Sequence, residues 1–501
     1  MKLYIDGPIN KYYVQTLCMI YFPGSKFADD EEVGDKTPQL WVSLTRLEDG
    51  SGVDVTAKLC YGGKCSKAAR HYDYRTDYTH ERVEKIALGD VVTAVGNEIT
   101  GYSPAWGMLT GVRPSKVASE LLRHGHSKTK VKRDLNKDFF VIPKKASLAT
   151  DVALNEARLI GTPDKKDCSV YVSIPFCPSK CAYCSSVSYT SRRLLSLIPD
   201  YLSRLIHDLD DIFNFINTRG LNLKTVYIGG GTPTILDTDQ LRVLLSCIAR
   251  NTDVSRLEEF TLEGGRPDTI TKEKLDVAVE YGVNRISVNP QILSDEVLSG
   301  IGRMHTVDQF YRAYDLARNS GIRTINTDLI AGLPGDTFKI FSGSFDKLLE
   351  LAPENITVHT FCVKKSAELR RTGENIYSIR GGDTGKCVDY SQIKCARAGY
   401  LPYYMYRQKN SMGNFENVGF SLPGHEGLYN IYMMEELHSI FAAGAGAVTK
   451  MVDYDAQNGV HRDINRLFSP KYPYEYLDEN GKITMMEKLN KIEQFYAEKG
   501  I

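Results

Sequence analysis

The chain has 501 residues, 42% hydrophobic and 25% charged, enough for two or three domains around at least one large core. Lys+Arg and Asp+Glu both number 62, so the formal charge is zero and the balance points to no nucleic acid and no membrane surface as main partner. The opening MKLYIDGPINKYY lacks the segments of a signal peptide, and no window holds about 18 uninterrupted apolar residues, so a cytoplasmic protein with no membrane span is expected.

Residues 1–150 read as an α+β N-terminal domain of unknown role. QLWVSLTRLEDG alternates and DVTAKLCYG follows a turn, the pattern of paired strands. From Tyr78 the period becomes helical, followed by the Pro/Gly punctuation of TGYSPAWGMLTGVRPSK and the amphipathic KVASELLRHG. The eleven cysteines are mostly scattered, so no disulfide framework is expected. Cys60 and Cys65 have no second close Cys or His pair and read as two separate thiols beside a hairpin, not as half of a zinc site.

Between 165 and 375 the short apolar strands CSVYVSI, TVYIGG, EFTLEG, RISVN, TINTDLIAG and ENITVHTF alternate with amphipathic helices such as YLSRLIHDLDDIFNFI and TVDQFYRAYDLARNSG. Six βα units in a row predict an α/β fold with a parallel sheet, curled as a partial (β/α)6 TIM-type barrel or left open. Polar and glycine-rich residues follow the strands directly, at the edge where such architectures bind ligands. Residues 385–501 form a third region, mixed and helical, expected to cover the substrate; it holds the Tyr-rich GYLPYYMYRQKNSMGNFENVGF and the helix-like YNIYMMEELHSIFAAGAG.

After the first barrel strand the chain reads Ile174-Pro-Phe-Cys177-Pro-Ser-Lys-Cys181-Ala-Tyr-Cys184, a C-x3-C-x2-C spacing. Three thiolates on one short loop suit three corners of a 4Fe-4S cube, and with no fourth Cys at ligand spacing one iron stays open for chemistry. A zinc loop or three incidental thiols are the alternatives. Gly229, Gly230 and Gly231 follow the second strand, where glycines let backbone approach a charged ligand. Glu263, Gln291 and Asp328 stand at the ends of the third, fourth and fifth strands, where a polar group must bond something or cap a loop.

The cysteine spacing, with Tyr183 in the aromatic place, resembles the signature of the radical S-adenosylmethionine (SAM) superfamily, and Gly229-Gly-Gly-Thr232-Pro looks like its GGGTP motif. YVSIPFC, YIGGGTPT, EFTLEGGRPDTIT, GVNRISVNPQ, IGRMHT and NTDLIAGLPGDT together resemble the oxygen-independent coproporphyrinogen III oxidase (coproporphyrinogen dehydrogenase) family, in its branch with a long N-terminal extension. The resemblance implies a 4Fe-4S cluster on Cys177, Cys181 and Cys184, with SAM on the remaining iron. It places Tyr171, Gly230, Glu263, Gln291, Arg303 and Asp328 around that SAM, and Gly231, Thr232 and the stretch near Cys362 around a second one. It further implies a reductant such as flavodoxin or ferredoxin, a monomer, and oxidative decarboxylation of two propionates of coproporphyrinogen III to vinyls. Arg303 taken alone reads more readily as a surface ion pair, and it is the IGRMHT motif that brings it to the site. Arg407 and Lys409 amid Tyr400, Tyr403, Tyr404 and Tyr406 have the composition of a tetrapyrrole clamp, against core packing as the alternative. Where family members often carry Cys or Phe two residues past the third ligand, this chain has Ser186. Two further readings stand beside the first: another radical SAM reaction such as methyl transfer or heme, peptide or cofactor modification, and a heme chaperone, with His359 and His425 as candidate heme ligands.

Overall fold

The computed structural model describes residues 1–27, 34, 36–184, 188–362, 382–408, 411–478 and 484–500. A four-stranded sheet comes first, in the order β1 (Lys2–Asp6), β2 (Gln39–Arg46), β3 (Gly52–Tyr61), β4 (Lys64–Asp73), with β1 parallel to β2 and the rest antiparallel. Alternation along β2 and β3 turns Leu40, Val42, Leu44, Val53, Val55 and Leu59 to one face. That face packs on α1 (Lys11–Tyr21) and α2 (His80–Thr100), whose Val14, Leu17, Val91 and Val95 are fully buried. Antiparallel register sets Cys60 directly opposite Cys65, and the two form a disulfide. The expectation of two separate thiols is therefore corrected: a hairpin turn brings together cysteines that spacing alone leaves unpaired. Three helices, α3 (Ser115–Arg123), α4 (Lys128–Phe139) and α5 (Pro143–Ile160), complete this part of the chain.

Six parallel strands then follow with helices between them. They are β5 (Asp167–Ile174), β6 (Asn222–Gly230), β7 (Glu259–Leu262), β8 (Arg285–Ser287), β9 (Thr324–Ala331) and β10 (Asn355–Thr360), adjacent in that order. The connecting helices are α6 (Arg192–Leu195), α7 (Ile198–Arg219), α8 (Thr238–Asn251), α9 (Lys272–Glu280), α10 (Asp295–Gly300), α11 (Val307–Arg318) and α12 (Phe338–Glu350). Each strand is a short segment rich in apolar and β-branched residues between amphipathic helices, which is why each was legible. β5 and β10 do not pair, so the barrel is open.

The chain beyond extends both edges of the same sheet. After α13 (Thr384–Arg397), β11 (Leu401–Arg407) and β12 (Glu416–Ser421) return antiparallel, β12 on β10. After α14 (Leu428–Glu435), β13 (Ser439–Ala443) pairs parallel with β5, followed by the antiparallel β14 (Val448–Asp455) and β15 (Val460–Phe468), giving eleven strands in all. α15 (Pro473–Leu477) and α16 (Met485–Lys499) close the chain's described part. The helix-like YNIYMMEELHSIFAAGAG is thus half helix and half strand: α14 stops at Glu436, which turns left-handed at φ 53°, and Ser439–Ala443 is a strand buried on both faces. A short apolar run carries no period to distinguish the two. Among the described residues no helix is long and apolar enough to cross a membrane.

Candidate active site at the strand carboxyl ends

The cysteine loop leaves β5 at the carboxyl edge of the sheet. Cys177 N donates to Tyr189 O at 3.1 Å, Ala182 N to Ile301 O at 2.9 Å, and Cys184 N to Cys181 O at 3.0 Å, so the loop is tied at its start, middle and end. Cys177 and Cys181 are buried and Cys184 is half-buried. Burial pushes the Cys177 thiol up to about 11, against a lowering contact with the Thr232 hydroxyl 3.2 Å away, and charge on Cys184 or Cys181 would push it further. Thiolates crowded this way need a cation to hold them ionised. Among the described residues no three His, Cys, Asp or Glu side chains form a closed metal-ligand set; the triad shares one loop without being gathered to a point.

Two buried arginines brace that loop. Arg303, 6% exposed, donates from Nη1 to Tyr183 Oη at 3.2 Å and lies 4.0 Å from Cys181 Sγ, while Nη2 reaches Gly265 O at 2.6 Å and Asn289 O at 2.7 Å. It makes no ion pair among the described residues. Its Nε donates to His305 Nδ1 at 3.2 Å, and burial together with the charges of Arg303 and Arg266 holds that imidazole down to about 3, hence neutral. Arg266 grips Asp268 through two 2.9 Å bonds and donates to Ser179 Oγ, inside the cysteine loop, at 2.9 Å. Arg266, Asn289 and His305 escaped the sequence reading. They lie in the post-strand stretches that supplied Glu263, Gln291 and Arg303, and that position was their only signal.

The glycine turn is shaped by close approach. Gly231 N donates to Ile174 O and Thr232 N to Phe176 O, both at 2.8 Å, so the turn lies flat against the start of the cysteine loop. A Cβ on Gly231 would stand 2.5 Å from Phe176 O, and one on Gly229 2.7 Å from Glu263 Oε2; Gly230 has φ 111°. Glu263 sits beside this turn. Burial first, then the Asp328 charge, pushes its carboxyl up to about 7. Tyr171, Tyr227 and Tyr429 stack beneath it, with centroids 4.6 to 6.2 Å apart.

Asp328 accepts from Asn289 Nδ2 and Asn326 Nδ2, both at 2.8 Å, and stands 3.6 Å from His359 Nε2. Burial raises its carboxyl, but His359 and the Asn326 amide outweigh that and hold it below the usual range. Gln291 takes φ 66°, bonds Asp328 O through its backbone N at 3.0 Å, and leaves a buried Oε1 with no partner among the described residues. An uncommon backbone angle and an orphaned buried acceptor on one residue mark a place kept for a ligand. Cys362 bridges Ser411 beyond β10, with Tyr406 nearby.

The Tyr-rich segment requires a correction. The Arg407 guanidinium donates to Leu109 O and Gly111 O, is 3% exposed, and is lowered by burial to about 10. It ties β11 to the N-terminal part of the chain and is no substrate clamp; composition does not say which way a strand residue points. Tyr400 and Tyr403 bond Pro353 O and Asn355 Oδ1, whereas Tyr404 and Tyr406 lie toward Asp328. His425 bonds Thr324 Oγ1 at 2.8 Å at the opposite pole of the barrel, away from the cysteine loop. Ser186, Lys409 and the stretch that follows Cys362 lie outside the described residues.

The Radical SAM superfamily model matches residues 171–348. The oxygen-independent coproporphyrinogen-III oxidase-like protein HemZ of Bacillus subtilis is 38% identical over 403 residues, 79% of this chain and 79% of that one. This chain belongs to the coproporphyrinogen oxidase-like family of radical SAM proteins. Within the family it is also similar to the heme chaperone HemW of Bacillus subtilis, at 36% identity over 60% of this chain and 79% of that one. The solved coproporphyrinogen III oxidase (HemN) of Escherichia coli, described as a radical SAM enzyme, aligns at 21% identity and TM-score 0.46 over 61% of this chain and 70% of that one. Membership implies a 4Fe-4S cluster and SAM. The residues present fit both: three Cys on one braced loop, a glycine turn with room for no side chain, two carboxyls of opposite tuning, and the unpartnered Gln291 Oε1.

Proposed function

We propose that this chain is a radical SAM oxidoreductase that decarboxylates the propionates of a porphyrinogen, coproporphyrinogen III, in heme biosynthesis. The observation that carries the site is the convergence, at one edge of β5 to β9, of the cysteine loop, the glycine turn, Glu263, Asp328 and the orphaned Gln291. When bound, the cluster and SAM would supply one-electron radical chemistry able to take a hydrogen atom from a substrate carbon. The chain's own residues bind and orient. Cys177, Cys181 and Cys184 hold the cluster as thiolates, and Arg303, against Cys181 and Tyr183, offsets their charge. The backbone of Gly229, Gly230 and Gly231 with Glu263 receives an amino-acid ammonium, which draws the Glu263 carboxyl into its ionised form. Asp328, already ionised, accepts from hydroxyls; Gln291 Oε1 accepts one more hydrogen bond; Tyr171 walls the pocket. Thr232 and Cys362 border a second SAM. The setting is cytoplasmic, with a flavodoxin- or ferredoxin-class donor supplying single electrons to a monomer.

The test is anaerobic incubation of the reconstituted, reduced protein with SAM and coproporphyrinogen III. Carbon dioxide with a vinyl product supports the proposal; 5′-deoxyadenosine without that product assigns another radical SAM reaction. The similarity to a heme chaperone favours a second reading, in which the protein binds heme stoichiometrically and turns over no porphyrinogen.

A further inference from the structure

A cavity of about 420 Å³ opens at the pole of the barrel opposite the cysteine loop. Its walls come from the amino ends of the strands, Asp167 of β5, Lys224 near the start of β6, Glu259 of β7, Arg285 of β8 and Thr324 of β9, and from the 424–438 segment that passes beneath them. The eight residues of β5 alone put roughly 25 Å between the two poles. The stacked Tyr171, Tyr227 and Tyr429 fill the barrel between them.

The acids of this cavity are all engaged. Glu259 accepts from the Thr261 hydroxyl and from Leu428 N and Tyr429 N, the amides that open α14. Glu258 holds Lys224 at 3.0 Å and the Tyr432 hydroxyl at 2.5 Å. Glu426 pairs with Arg158, and Asp167 accepts from Asp164 N and the Asn222 amide. Two cations are not so matched. Arg285 is 5% exposed, yet its guanidinium makes one hydrogen bond, from Nη1 to His425 O at 2.9 Å, and no ion pair among the described residues. Arg323 likewise gives one bond, from Nη2 to Gly424 O at 2.9 Å, and no ion pair. Consecutive carbonyls of a single turn, Gly424 O and His425 O, therefore each take one of the two guanidiniums, and each guanidinium keeps further N–H donors. The Glu259 carboxylate acts on Arg285 through space without forming an ion pair with it among the described residues, so this buried guanidinium keeps unused N–H donors on a cavity that Arg323 also lines, a pairing of donors suited to an oxyanion. Leu159, Ile160, Leu428 and Leu437 supply an apolar wall on the same cavity.

We propose that this cavity binds a small organic oxyanion, a carboxylate or phosphate on a compact apolar body, with its anionic head on Arg285 and Arg323. The site is independent of the radical chemistry and stands or falls without it.

Calorimetric titration of the full-length protein with phenyl phosphate and with phenylacetate, which share a body and differ in head group, tests it. At least one binds with Kd of about 1 mM or tighter, and the one that binds more tightly names the head group. Arg285→Lys weakens that binding about tenfold and Arg323→Gln at least about threefold, with iron content unchanged in both. Arg323 is exposed, so its variant folds even if Arg285→Lys does not. Failure of both probes to bind, or binding to a folded Arg323→Gln that equals the parent's, overturns the proposal.

Discussion

Glu263 shows how one carboxyl records its surroundings. Its value is raised, to about 7, so the stability it contributes is fully present below the ordinary carboxyl range and is lost as pH rises through about 7. Glu263→Gln removes the titration; the thermal midpoint of the variant should fall less between pH 6 and pH 8 than the parent's. If Glu263 receives the SAM ammonium as proposed, the same carboxyl makes SAM binding pH-dependent in the other direction, because an ammonium ligand favours the ionised form. Affinity measured by titration calorimetry should rise about tenfold across pH 6 to 8 in the parent and stay flat in the variant. Cys181→Ala tests the other half of the site. It should lose bound iron and all SAM cleavage, whereas Cys247→Ala, in the buried face of α8, should leave iron content unchanged. A normal four-iron spectrum from Cys181→Ala would sink the ligand assignment.

At the scale of elements, the turn after β6 is fixed by crowding more than by backbone angle. Gly231 is not left-handed, but a Cβ there meets Phe176 O at 2.5 Å and Phe176 N at 2.9 Å, backbone atoms at the root of the cysteine loop. Gly231→Ala should cost on the order of 1–3 kcal/mol and reduce iron retention, read by thermal unfolding and iron assay. Gly343, exposed inside α12 with nothing near its would-be Cβ, is the control: Gly343→Ala should add up to about 1 kcal/mol. The six parallel strands were legible because each is a short segment rich in apolar and β-branched residues set between amphipathic helices, even where polar residues interrupt it, as Asn326 and Asp328 do in β9. β13 was not, since Ser439–Ala443 has the same texture and only its pairing with β5 makes it a strand. The site divides in a similar way. Cys177 and Glu263 stand just past the ends of β5 and β7 and Asp328 lies within β9, all in the strand segments the sequence marks, and they were visible. Arg266 acts on Ser179 across loops and Arg407 turns toward Leu109, contacts that leave no local pattern, while His305 bonds Arg303 only two residues away on a loop with no regular period to mark it.

The whole molecule is joined by a buried charge pair that no part of it could hold alone. Lys145 of α5 and Glu416 of β12 are both fully buried and meet at 2.5 Å; Trp106 Nε1 and Gln392 Nε2 also donate to the carboxylate, at 2.8 Å and 2.7 Å. Burial pushes Glu416 up, but the Lys145 charge and these bonds prevail and hold it below the usual range. A depressed carboxyl contributes stability that is present above the ordinary carboxyl range and is lost as pH falls through its folded value. The consequence reaches the barrel mouth: Asn417 Oδ1, next in the chain, accepts from Thr360 N at 2.7 Å, and Glu416 O accepts from the Thr360 hydroxyl, two residues before Cys362. Lys145→Met strands an anion in the interior and should cost about 3–5 kcal/mol. Lys145→Met with Glu416→Gln removes both charges and should recover most of that cost, a coupling that a urea-unfolding double-mutant cycle reads directly. If the single and double variants lose the same stability, the pair is incidental to how α5 is held against β12.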